Sequence, residues 1–198
     1  MPSLERGTPS IVGVLTSAAW KAGNVLDRLS IFNAPITRLL EPEEVAHSLT
    51  PVTYFAGVEE LGDEPPRFDG DTVIDMVLGS GSPYWMRVAN SMVTGTSLVG
   101  WPGSMAVVVR DTVRDPTDDL LLTDRRLLIV HQEPNDTFAQ RWAAPLSDIV
   151  AVRCIPRLFQ AGRIWLSLAD GSAVALCMGL VRKGPAARFC EDLTGLLR

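Results

Sequence analysis

Leu120-Leu121-Leu122-Thr123-Asp124-Arg125-Arg126-Leu127-Leu128-Ile129-Val130 sets two apolar runs on either side of a four-residue polar step. Each run has strand length, and the second is partly β-branched. The stretch therefore predicts a β-hairpin with Thr123-Asp124-Arg125 at its turn. Downstream, Glu133-Pro134-Asn135-Asp136 is a second turn, and Phe138 to Ala143 is a strand with Phe138, Gln140 and Trp142 on one face. Pro145 to Asp148 is a corner, and Ile149 to Ile155 is the next strand. After a turn at Gln160-Ala161-Gly162, Ile164, Leu166 and Leu168 alternate inward against Arg163, Trp165 and Ser167. Asp170-Gly171 is a hairpin signal leading to Ala173–Met178. Gly184-Pro185 opens a closing helix whose apolar stripe is Ala186, Phe189, Cys190, Leu193 and Leu197.

Upstream the pattern is mainly helical. Ile11, Leu15, Ala18, Ala22, Val25, Leu26 and Leu29 make one stripe over residues 9–31, with Arg28 off it and Asn33 and Pro35 as its stop. Glu41 to Ala46 reads as a short acidic helix start, Val52 to Ala56 as a strand, and Glu59 to Asp71 as an acidic loop. Asp71 to Leu78 fits strand or helix. Gly79 to Pro83 precedes a helical face of Trp85, Val88, Ala89, Met92 and Thr96. Its glycines suit an anion, but no Lys-Ser or Lys-Thr pair follows, and Ser82 serves as a cap. Gly100-Trp101-Pro102-Gly103 breaks that helix, and β-branching in Met105 to Val109 predicts a strand. Arg114 to Asp118 is a turn into the central hairpin.

The 198 residues are 46% hydrophobic with a net charge of −5, which argues against nucleic acid as a partner. Residues 1–118 hold 8 Lys/Arg against 15 Asp/Glu, and residues 119–198 hold 10 against 8, so the acidity sits in the N-terminal part. Cys154, Cys177 and Cys190 lie in apolar contexts, reading as buried thiols of a reducing compartment. Glu5 and Arg6 with no long apolar run after them predict no secretory leader. The apolar window from Met86 to Val109 is interrupted by Gly95, Gly100, Pro102 and Gly103, so no membrane span is expected.

The run Leu120 to Val130, the stretch Ala144-Pro145-Leu146-Ser147-Asp148-Ile149, the segment Gly162 to Gly171 and the last helix together resemble bacterial pleckstrin-homology-like domains. The likeness covers about residues 105–198, and the N-terminal half, with its Gly-Ser-Met-Ala step before the strands, resembles that of actinobacterial proteins. It implies an α+β fold: a bent antiparallel sheet or barrel at residues 105–198, closed by a C-terminal helix. Residues 1–104 would then be a mainly helical extension with an acidic loop, packed on that domain and not independent of it. The family binds lipids, peptides or proteins. The stretch Asp111 to Asp119 is net acidic, where eukaryotic relatives that bind phosphoinositides carry a basic loop.

No chemistry-bearing pattern accompanies these elements. The chain has two histidines, His47 and His131, and no Cys-x-x-Cys, His-x-x-x-His or Gly-x-Ser-x-Gly. The expectation is a non-catalytic binding or scaffold module without cofactor or metal. It is expected to be cytoplasmic and peripheral to a membrane at most, with a protein or an anionic membrane surface as partner. The alternatives are a membrane-surface or lipid-binding protein using its N-terminal amphipathic helix, and an enzyme of a kind not evident in the residues. That helix is also a candidate seam between two copies. Strand alternation puts Val150, Val152 and Cys154 on one face and Arg153, Ile155 and Arg157 on the other, beside Arg163 and Trp165. Arg153, Arg157, Arg163 and Trp165 form the candidate partner-binding patch; the competing readings are that it docks the acidic N-terminal half of the same chain or is an ordinary solvated sheet face.

Overall fold

The computed structural model describes residues 28–62, 95–113 and 118–198. The stripe over residues 9–27, the acidic loop over 63–71, the segment 71–78, the glycine turn and helix over 79–94, and residues 114–117 lie outside it.

The central hairpin forms as the sequence predicts. Strands β4 (Asp118–Thr123) and β5 (Arg126–Gln132) pair antiparallel, Leu122 opposite Leu127. The Thr123 hydroxyl accepts from the Arg125 and Arg126 N–H groups and so shapes the turn. Two strands complete the sheet, giving the order β1-β4-β5-β6, with β1 at Ala46–Pro51 and β6 at Phe138–Pro145. A second sheet has the order β2-β3-β9-β8-β7: β2 Val58–Leu61, β3 Thr96–Gly100, β7 Ile149–Cys154, β8 Arg163–Leu168 and β9 Ala173–Cys177. All pairs are antiparallel except β2–β3, which is parallel. Helices α1 (Arg28–Ile31), α2 (Asn33–Thr37), α3 (Met105–Thr112) and α4 (Gly184–Leu196), with a short 3-10 turn at Leu146–Asp148, complete the described elements. The fold is thus α+β, with two separate sheets among the described residues and no closed barrel.

Every residue of β4 is buried because the first sheet is covered on both faces. Leu120, Leu122, Leu127 and Ile129 face the second sheet, whose Ile149, Ile164, Leu166, Leu168, Val174 and Leu176 share the same core. Helices α3 and α4 seal that core with Ala106, Val109, Ala186, Phe189 and Leu193. On the opposite face Leu121, Leu128 and Val130 pack with Phe32, Ile36, Leu49 and Phe138. Phe32 and Phe138 meet edge to face at 5.3 Å.

Several local expectations are corrected. Met105 to Val109 is helical, not extended, because two groups of the β8–β9 turn cap it. The Met105 N–H donates to Asp170 Oδ2 at 2.7 Å and the Ala106 N–H to Ser172 Oγ at 3.0 Å. Residues 41–45 form a turn instead of a helix start, with Glu43 at φ 64° and Glu44 directed into the fold toward Arg126. The strand expected at Val52 to Ala56 is a single bridge from Thr53 to Cys177, and the strand itself is β1, just before it. Asn33 and Pro35 lie inside α2, and Thr96 begins β3 instead of ending a helical face. In β6 a register shift between Ile129 and Val130 puts Phe138 in the outer cluster and Trp142 against the inner core, so these two do not share a face. No helix among the described residues is long and apolar enough to cross a membrane.

Candidate functional site

In the β7–β8 pair Ile149 opposes Leu168, Val152 opposes Leu166, Arg153 opposes Trp165 and Cys154 opposes Ile164. A register shift between Ile149 and Ala151 makes Val150 an extra residue, 63% exposed. Ile149 and Val152 therefore pack on the core while Val150 and Cys154 are exposed, which corrects the grouping of Val150 with Val152 and Cys154. Past the strands, Arg157 and Gln160 exchange two backbone hydrogen bonds of 3.2 and 3.0 Å. That bridge leaves Leu158-Phe159 as a two-residue tip ahead of the Ala161-Gly162 turn. Leu158 is 65% exposed and Phe159 75%, and Phe159 has φ 60°, a left-handed conformation rare for an aromatic residue.

A second loop is fastened to this one. The Ala161 N–H donates to Leu180 O, the Gly162 N–H to Gly179 O and the Met178 N–H to Gly162 O, at 3.1, 2.8 and 2.8 Å. The approach needs Gly162, since a Cβ there would lie 2.8 Å from the Gly179 nitrogen. The second loop carries Val181, 75% exposed, followed by exposed Arg182 and Lys183. Neither Ile149 to Ala169 nor Gly171 to Cys190 contains an Asp or Glu, in a chain of net charge −5. The joined loops therefore present three apolar side chains bordered by cations.

The four predicted patch residues separate. Arg153 is exposed and Trp165 half-buried, and the sheet register brings them together as a cross-strand pair. Arg157 is exposed with its guanidinium beside Gly95. Arg163 is only 2% exposed and is not part of an open patch. Its guanidinium donates to Thr96 O at 2.6 Å and to Gln160 Oε1 at 3.2 Å, while Nε is buried with no partner. Burial, with Arg157 nearby, lowers its pKa. Two of the arginines thus meet Gly95 and Thr96 of the N-terminal half, Arg163 through a carbonyl and not a carboxylate.

Charged groups the sequence reading passed over lie across the first sheet. Arg28, placed off the stripe, is buried and donates to Asp119 Oδ2 at 2.6 Å and to Gln132 Oε1 at 3.1 Å. Burial raises the Asp119 pKa to about 6 against the lowering pull of Arg28. Asp118 is fully buried, with His131 Nδ1 at 2.9 Å and Arg141 Nη1 at 3.4 Å. Burial opposes the charge on Glu44, but hydrogen bonds from Arg126, the Glu41 N–H and the Thr123 hydroxyl outweigh it and hold its pKa at about 2. Among the described residues no three His, Cys, Asp or Glu are grouped to hold a metal ion. Of the thiols read as buried, Cys177 is buried, Cys190 is half-buried and Cys154 is exposed.

The Leu158-Phe159 tip could have been suspected from two large apolar residues between Pro156 and Gly162, where a turn favours polar ones. Val181 and the burial of Arg28 carried no such signal. No protein-family model matches the chain, and no curated protein matches it.

Proposed function

We propose that the chain is a non-catalytic binding module of the pleckstrin-homology-like type, which docks an anionic partner on the Leu158-Phe159 tip and the adjoining Val181 loop. Support for the type comes from the chain order, in which two antiparallel runs, β4-β5-β6 and β7-β8-β9, precede a core-sealing C-terminal helix. The observation that carries the docking reading is Phe159. A bulky residue at positive φ costs about 1–2 kcal/mol relative to an ordinary conformation. With Phe159 75% exposed, little packing inside the fold offsets that cost. Burial against a partner would offset it, and Arg153, Arg157, Arg182 and Lys183 set the sign of that partner.

A second reading, attachment to an anionic membrane surface, is favoured by apolar tips bordered by Arg and Lys, the arrangement that places side chains below the phosphates and cations among them. It uses this end of the molecule in place of the N-terminal helix. Sedimentation with phosphatidylserine-containing and with purely phosphatidylcholine vesicles tests it. Binding only to the anionic vesicles, reduced at least fivefold by Phe159→Ser and by Arg182→Ala with Lys183→Ala, supports the membrane reading. No vesicle binding, with a photoreactive residue at position 159 crosslinking to one acidic protein, supports the first reading. Neither result would leave the docking end without a partner and defeat the proposal.

A further inference from the structure

Cys154 ends β7, and Cys190 lies on α4, 36 positions later. Their Sγ atoms are 2.9 Å apart, and Cys154 Sγ is 3.5 Å from the Ala186 carbonyl oxygen in the first turn of the same helix. A disulfide bond is about 2.05 Å long, so the two sulfurs need to close by less than an ångström. We infer that Cys154 and Cys190 form a reversible oxidation site, a dithiol that a low-molecular-weight disulfide converts into a bond between β7 and α4.

The two thiols have different access. Cys154 is exposed and Cys190 half-buried, so an oxidant in solution reaches Cys154 first. Burial, and after it the neighbouring Cys154, raises the Cys190 pKa, so Cys190 does not attack first, and its 2.9 Å approach to Cys154 Sγ is what fits it to the second, resolving step. In the first step the Cys154 thiolate attacks one sulfur of the small disulfide, forming a mixed disulfide and releasing one thiolate. In the second, Cys190 gives up its proton to that thiolate and attacks Cys154 Sγ, and the second small group leaves as a thiolate, which takes up from water the proton that Cys154 lost on ionising. Two protein thiols lose two electrons, and one small disulfide becomes two thiols. Cys177 stays out of the exchange: it is buried, its Sγ lies 3.3 Å from Gly179 O, and burial raises its pKa.

The bond would brace the region around the candidate docking end, since Cys154 precedes the Leu158-Phe159 tip and the Val181 loop leads into α4. The two thiols meet whether or not that end binds a partner.

The test treats the full chain with oxidised glutathione and follows intact mass and non-reducing peptide maps. The expected product has lost 2 Da, yields one peptide pair joined through 154 and 190, and keeps Cys177 unmodified until the chain is denatured. It should melt about 5–10 °C higher than the reduced protein, as closing a loop of this length implies. Cys190→Ser should stop at the first step, holding one glutathione on Cys154. Cys154→Ser should react at least tenfold more slowly. Melting of both reduced variants beside the reduced wild type separates misfolding from lost chemistry. A stable mixed disulfide on Cys154 in the wild type, a bond involving Cys177, or a crosslink only between two copies would overturn the assignment.

Discussion

Glu44 and Asp119 titrate in opposite senses, and the acid stability of the protein should record both. Glu44 has a folded pKa of about 2 against about 4.5 when free. Its contribution is fully present above pH 4.5 and is lost as pH falls toward 2, a change of about 3 kcal/mol. Asp119 is raised to about 6, so the folded state binds its proton more tightly than the unfolded chain, and stability increases as pH falls from 6 toward 4. Urea midpoints should therefore rise from pH 7 to about pH 5 and fall below pH 4. Glu44→Gln should lower stability at pH 7 by about 2–3 kcal/mol and at pH 2.5 by less than about 1 kcal/mol. An equal loss at both values would mean that Glu44 acts by packing and not by charge. These partners could not have been read from the chain. Arg28 meets Asp119 across 91 positions and Arg126 meets Glu44 across 82, and no local period marks either pair.

At the scale of elements, what was legible depended on whether a segment settles its own conformation. The central hairpin and the Asp170-Gly171 turn do so, since alternation and turn chemistry point the same way, and Gly171 has the required φ of 86°. In α4 the stripe residues Ala186, Phe189 and Leu193 are buried as read. Met105 to Val109 does not settle itself. Its β-branched residues prefer a strand, and the helix exists because Asp170 and Ser172, more than 60 positions away, receive its first N–H groups. Asp170→Ala should therefore cost about 1–2 kcal/mol, the usual loss when a cap is removed. It should also speed amide exchange at Met105 and Ala106 well before the core opens. Unchanged exchange there would show that packing of Ala106 and Val109 alone holds the helix. The irregularities near Val150 and in the β5–β6 pair are the other illegible features, because one extra residue exchanges faces without altering composition.

The whole molecule is three layers deep over its first sheet, and the eleven-residue stretch Leu120 to Val130 crosses both interfaces. Alternate residues serve different layers: Leu127 and Ile129 join the core between the sheets, while Leu128 and Val130 hold the α1–α2 layer. This explains why the stretch reads as nearly continuous apolar sequence and lacks a polar face. It also predicts that neighbouring substitutions fail in different ways. Both Leu127 and Leu128 are fully buried, so either change to Ala should remove about 2–5 kcal/mol. Leu127→Ala weakens the core shared by both sheets, α3 and α4, and should accelerate exchange across the described fold in one cooperative step. Leu128→Ala weakens the layer that contains Phe32, Ile36 and Phe138, so exchange over residues 28–40 should rise first while β8 and β9 stay protected. Loosening that layer also opens a path for water to the Arg28–Asp119 pair, so the rise in stability between pH 6 and pH 4 should shrink in Leu128→Ala and persist in Leu127→Ala. Identical exchange patterns in the two variants would mean that the outer layer and the core unfold as one unit, and the layered account would fail.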